Sequence, residues 1–158
     1  MDPKIVRARH VKSFKFNDAD ITGNDVSVLS TCGKLVAIGT DFGLLTLYDT
    51  QQSHIQSYEF QHPGDNDAVR DIQFSPGIDQ LLVCDSKCIH VMSVNPLTVL
   101  KQCTSMLAVR GAIFSPDMKW IIVAISVGAL AMSADLTQKI PILTLKKKKQ
   151  FYRGSNQS

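Results

Sequence analysis

Apolar and polar positions along this chain fall into short alternating or wholly apolar runs, each closed by a cluster of Gly, Pro, Asp, Asn or Ser. A period of two belongs to the β-strand, whose successive side chains point to opposite faces. Between residues 68 and 103 the runs predict strands at Val69–Phe74, Gln80–Cys84, Ile89–Val94 and Thr98–Cys103. The intervening Ser75-Pro76-Gly77-Ile78-Asp79, Asp85-Ser86-Lys87 and Asn95-Pro96 are turn formers. Pro76 and Pro116 lack an amide hydrogen, so each ends the strand before it. Nowhere does helical periodicity run unbroken for three turns.

The pattern repeats. Ala68-Val69-Arg70-Asp71-Ile72-Gln73-Phe74-Ser75-Pro76 returns 40 residues later as Ala108-Val109-Arg110-Gly111-Ala112-Ile113-Phe114-Ser115-Pro116, identical at six of nine positions. Leu82-Val83 then matches Ile122-Val123, and Val91-Met92-Ser93 matches Ala131-Met132-Ser133, without a gap. A degenerate earlier copy contains a first turn at Ser30–Lys34, a strand at Leu35–Gly39, a tight turn at Thr40–Gly43, and strands at Leu44–Asp49 and Ile55–Phe60. A small expansion around His62–Asp67 separates it from the next copy. A period near 40 built from four antiparallel strands is one blade of a β-propeller. The expectation is an all-β chain, a partial β-propeller of about three four-stranded antiparallel blades at 24–62, 63–103 and 104–145. Segment 1–23 precedes them, with Val11–Phe16 as a further strand candidate that brings the total to about 13.

These residues resemble the WD-repeat β-propeller family over about residues 24–145. Val69-x-x-Ile72-x-Phe74-Ser75-Pro76 and Phe114-Ser115-Pro116-Asp117 match the family's first element. Gly39-Thr40-Asp41-Phe42-Gly43 and Cys84-Asp85-Ser86 match its Asp turn, and Leu45-Thr46-Leu47-Tyr48-Asp49 its last strand, with Tyr for Trp. The Trp-Asp pair is replaced by Met92-Ser93 and Met132-Ser133, and the third copy carries Ser126 where the turn acid is expected. The resemblance therefore implies divergent blades, held by strand pairing and apolar faces, with no polar tetrad in the third.

Charge changes this picture at one end only. Residues 146–158 carry five basic side chains and no acid, while the remaining 12 Lys and Arg face 14 Asp and Glu. The blades are thus mildly acidic, and the basic tail (Lys146, Lys147, Lys148, Lys149, Arg153) is expected to be a disordered segment. The tail's readings are a solubilising terminus, an import signal, or contact with nucleic-acid phosphates or anionic lipid. The longest uncharged stretch, Trp120–Ala134, is shorter than the ~18–20 apolar residues of a bilayer span and reads as a strand pair. No secretory leader is visible, and the four cysteines suggest reduced thiols, so the expected location is cytoplasmic or nuclear.

Candidate chemistry is sparse. Among the motifs of catalysis, no nucleophile elbow, P-loop, His-Glu-x-x-His or dinucleotide fingerprint occurs, and His10, His54, His62 and His90 have no partner spacing. Cys84-x-x-x-Cys88-x-His90 is the only metal-like spacing, and it lacks the second pair that zinc usually takes, so buried core thiols are expected and no metal or cofactor. The resemblance implies partner contacts at the position after the first apolar residue of a blade. Here that position is Arg70, with its neighbour Asp71, and Arg110 one period on. The alternative is that both arginines are solvated or bond to Asp71 or Asp85.

Three blades fall short of the four to eight that close a ring, and they leave open strand edges. A second copy, blades donated by a partner, or a longer polypeptide would close it, the last two being preferred. The functional expectation is a non-enzymatic protein–protein interaction scaffold within a multi-protein complex. It would bind other subunits, or itself, through loop face and open edges, with no small-molecule substrate and no membrane span. The alternative is a nucleic-acid-associated or ribonucleoprotein component using the tail.

Overall fold

The computed structural model describes residues 25–51, 54–60, 68–104 and 107–145. Twelve strands are described: β1 (Val26–Cys32), β2 (Leu35–Thr40), β3 (Leu44–Asp49), β4 (His54–Glu59), β5 (Asp71–Phe74), β6 (Gln80–Cys84), β7 (Cys88–Val94), β8 (Leu97–Thr104), β9 (Val109–Phe114), β10 (Trp120–Ile125), β11 (Gly128–Ser133) and β12 (Lys139–Thr144). They form three four-stranded antiparallel sheets in sequential order, β1–β4, β5–β8 and β9–β12. The first strands β1, β5 and β9 lie side by side, as the inner strands of neighbouring blades do. The architecture is all-β, a partial propeller of three blades.

Two apolar seams hold the blades together. In the first, Ala37, Leu45 and Leu47 pack against Ile72, Leu81, Val83 and Met92. In the second, Leu82, Ile89 and Val91 pack against Val109, Ala112, Ile121, Val123 and Met132. The middle blade is covered on both sides, so alternate residues of β6 feed different seams and Leu81-Leu82-Val83-Cys84 is buried throughout. That is why this stretch reads as a continuous apolar run, as strands covered on both faces do.

The turn after each inner strand has one construction. Ile78 and Met118, 40 residues apart, both have positive φ, near 60°. Such a backbone is uncommon outside Gly and needs support. Ser75 and Ser115 supply it: the side-chain oxygen of each accepts from the amide that restarts the sheet, at Gln80 and Trp120. The same unit recurs at Ser133, Leu136 and Gln138 between β11 and β12.

The first turn is narrower than expected. Ser30–Cys32 continue β1, and only Gly33-Lys34 turn, with Gly33 at φ 58°. The inner strand of the middle blade is shorter, beginning at Asp71 rather than Val69. The Arg70 amide still bonds to the Cys84 carbonyl, but the Val69 amide turns away and donates to Thr40 of the preceding blade. Register also corrects the third copy. Cys84 pairs with Ile89, and Ala124 with Ala129, so the residue in the place of Asp85 is Ile125, and Ser126 corresponds to Ser86. Val11–Phe16, the 62–67 expansion and tail 146–158 lie outside the described residues.

Candidate interaction face

At the start of each inner strand, one buried valine crosses to the preceding blade. Val69 and Val109 are buried, and their amides donate to the carbonyls of Thr40 and Ser86. Ser27 adds a hydroxyl bond to the Val69 carbonyl, at 2.5 Å. With the valine held inward, the next residue of an extended chain points the other way. Arg70 and Arg110 are accordingly exposed, and they line one cleft with Ser27, Ala68 and Val69. Among the described residues, neither guanidinium lies within ion-pair distance of a carboxylate.

The two acids that were candidate partners for these arginines are engaged elsewhere. Asp71 Oδ2 accepts from the Ala112 amide, at 3.0 Å, across the second seam. Position 111 has to be small for this: a Cβ on Gly111 would stand 2.7 Å from the same oxygen. The structure thus brings Arg70 and Arg110 to one cleft and turns Asp71, next to Arg70 in sequence, toward the next blade. Ser27 is the cleft residue that sequence reading missed, since it lies in the degenerate copy.

Asp85 organises the β6–β7 turn. Its Oδ1 accepts from the Lys87 and Cys88 amides, and its Oδ2 is hydrogen-bonded to His90 Nε2 at 3.0 Å. Phe60 from the first blade stacks obliquely on the imidazole, with centroids 4.5 Å apart. Burial pushes the Asp85 carboxyl up, but the His90 bond and the two amides outweigh it and hold the group below the ordinary carboxylate range.

Asp85, Cys88 and His90 place a carboxylate oxygen, a thiol and an imidazole nitrogen within 4.8 Å of one another. This differs from the spacing noted in the sequence, because Cys84 faces the second seam whereas Cys88 and His90 face the first. Burial raises the Cys84 and Cys88 thiols above their ordinary range, which works against the thiolate a metal requires. Both carboxylate oxygens are already in hydrogen bonds. The unit offers three of zinc's usual four donors, and its carboxylate is already taken up by the turn amides and His90 Nε2.

The other two blades fill the same location differently. In the first blade Thr40 takes the place of Asp85, its hydroxyl accepting from the Leu44 amide, and Thr46 takes that of His90. In the third blade the pair is Ile125 and Leu130. One location therefore runs from hydroxyls through an acid–imidazole pair to aliphatics, so the three blades share no chemistry there.

Three successive four-stranded sheets, seamed face to face around adjacent inner strands, are the arrangement of β-propeller blades. Solved structures agree. The β-propeller domain of Myceliophteria thermophila Cps50 (Swd1) is similar over 73% of this chain and 38% of that one, with a TM-score of 0.62 and 12% identity. Saccharomyces cerevisiae Sqt1 is similar over 80% of this chain and 37% of that one, with a TM-score of 0.64 and 16% identity. The chain thus spans somewhat over a third of the length of these structures. No family model and no curated protein sequence matches it. No helix among the described residues is long and apolar enough to cross a membrane.

Proposed function

We propose that this chain is a non-enzymatic protein-interaction module and that it holds an acidic segment of a partner protein at the Arg70–Arg110 cleft. The observation that carries this reading is the pair of exposed arginines on one cleft without a carboxylate partner among the described residues. A guanidinium offers five donors in a planar fork that fits a carboxylate, and arginine is enriched where single side chains dominate binding. Sequence neighbours enforce the placement, because a buried valine precedes each arginine. Propeller folds present partners with such loop-side clefts, and the fold itself does not name the partner.

Fluorescence anisotropy with a labelled Asp/Glu-rich peptide tests this. Arg70→Glu and Arg110→Glu are each expected to weaken binding on the order of 10-fold or more, and the affinity of the unaltered chain should fall as salt rises. Arg70→Lys should recover only part of the loss, since a point charge lacks the fork. Binding that is absent, or indifferent to both reversals, overturns the reading.

A further inference from the structure

The middle blade holds a second groove at the end opposite the arginine cleft. β5 begins at that cleft and ends at the Ser75–Asp79 turn, so this turn and the Asn95-Pro96 turn between β7 and β8 lie at the other end of the blade. Ile78, Asp79, Ser93, Asn95 and Leu100 line a groove of about 320 Å³ there. A smaller cleft of about 200 Å³ shares Val94 and Asn95 with it and reaches across to the first blade, where Leu35 and Leu47 are its apolar residues. Together they form one track that crosses the seam between the two blades.

The two exposed apolar side chains of this track are placed by departures from regular structure. Ile78 has φ 61° and is 37% exposed. A β-branched residue is poorly suited to this backbone, which Gly or Asn adopts more readily, and the third blade uses the unbranched Met118 at the same place. Leu100 is the extra residue of a β-bulge. The register of β7 and β8 passes from Val91 and Lys101 to Met92 and Val99, which leaves Leu100 without a pair and 52% exposed. Bulges re-aim side chains in this way. Neither residue belongs to the seams, so packing within the chain does not explain them. Irregular backbone that presents an apolar side chain to solvent points to a contact outside the chain.

The polar groups select the occupant. Asp79 Oδ1 accepts from the Ser75 hydroxyl at 2.9 Å, and among the described residues no cation lies within ion-pair distance of this carboxylate. Lys34, in the smaller cleft, is neutralised by Asp49 at 3.1 Å, so the uncompensated charge of the track is negative. One period on, Lys119 stands in the place of Asp79, which confines this charge to the middle blade. The Asn95 carboxamide, where the two clefts meet, makes no hydrogen bond among the described residues and offers the donor and acceptor that a peptide unit requires. We propose that this track docks an extended segment of a partner protein, with an aliphatic side chain between Ile78 and Leu100 and a lysine or arginine beside it on Asp79. An acidic segment of the kind held at the arginine cleft is disfavoured here by like charge. The inference goes beyond the acidic-segment reading and does not rest on it, because the two sites lie at opposite ends of the blade.

Fluorescence anisotropy on the full chain tests this, with a set of labelled short peptides in which Leu or Ile is followed by Lys, Gln or Glu. The Lys peptides should bind most tightly and the Glu peptides least. Ile78→Asn and, independently, Leu100→Ser should each weaken binding of the Lys peptides on the order of 10-fold. Ile78→Asn should do so with the urea midpoint kept or raised, since Asn accepts this backbone more readily than Ile. Asp79→Asn leaves an acceptor for the Ser75 hydroxyl and should remove the preference for Lys over Gln. Arg70→Glu should leave this binding unchanged, which tells a failure of the acidic-segment reading from a failure of this one. No binding across the set, a preference for Glu, or binding indifferent to both Ile78→Asn and Leu100→Ser overturns the proposal. So does self-association of the chain that both variants abolish, which would give the groove to a second copy.

Discussion

Asp85→Ala is expected to lower stability by about 3–5 kcal/mol, read as a shift of the urea midpoint by circular dichroism. The change removes no large apolar surface. It strands the Lys87 and Cys88 amides, of which Cys88 belongs to a buried residue, and it takes the carboxylate from an imidazole buried beside Phe60. Each buried polar group left without its partner costs about 1–3 kcal/mol, and here the Cys88 amide and the His90 imidazole are affected together. A loss of this size is a large part of the total stability of a small domain. The chain supplies its own control, because the third blade fills the same location with Ile125 and Leu130. The double variant Asp85→Ile with His90→Leu is therefore expected to be more stable than Asp85→Ala or His90→Leu alone, since replacing both members of a buried polar pair by aliphatics is far cheaper than removing one. Strict additivity of the single losses would refute this account.

The same pair sets an acid response. The carboxyl of Asp85 lies below its ordinary range in the folded chain. A depressed folded value means that the carboxylate adds stability above the unfolded value, near ~3.9, and that this contribution fades as pH falls through the folded value. The unaltered chain should accordingly lose more stability below about pH 4 than the Asp85→Ile, His90→Leu variant. Equal acid slopes in the two chains would show that Asp85 is not the group responsible.

How much of this was legible in the sequence depends on what each feature is made of. The blades were legible because a two-sided core forces runs such as Leu81–Cys84 to be apolar, and because the Ser-Pro turns recur with the period. Arg70 and Arg110 were singled out through the family resemblance, and the structure adds the physical reason for their exposure, a buried valine before each. The fate of Asp71 was not legible, since it depends on the amide of a residue 41 positions on and on the lack of a Cβ at Gly111. The register of the third turn was misread for a related reason. Once Ile125 replaces the acid, no polar residue marks the turn, and Ser126 is the nearest substitute for the eye. The first blade was harder still, because its seam to the second is closer by one step. Val69 bonds to Thr40, the counterpart of Asp85, whereas Val109 bonds to Ser86, one residue further along. Gly39 answers that approach, since a Cβ there would lie 2.5 Å from the Val69 side chain, while the equivalent position of the next blade holds Cys84.

The contact between Asp71 and the third blade should reveal itself as a coupling rather than as a sum. Asp71→Ala is expected to cost about 1–3 kcal/mol, because the Ala112 amide, in a residue that is 3% exposed, then lies buried without its acceptor. Asp71→Asn keeps an acceptor oxygen in place and should cost clearly less. Gly111→Ala is expected to be nearly as harmful as Asp71→Ala, by a different route: the new methyl, 2.7 Å from Oδ2, pushes the carboxylate off the amide. In a chain that already carries Asp71→Ala there is no carboxylate to displace, and alanine in an inner strand loses less chain entropy on folding than glycine does, so Gly111→Ala should then be neutral or slightly stabilising. The double-mutant cycle, measured by urea unfolding, should thus return an interaction energy of about 1–2 kcal/mol. Additive losses would mean that Gly111 is small for a reason unconnected with Asp71. If Asp71→Ala left stability unchanged and weakened the binding of an acidic peptide, the carboxylate would have to be moved from the seam to the arginine cleft.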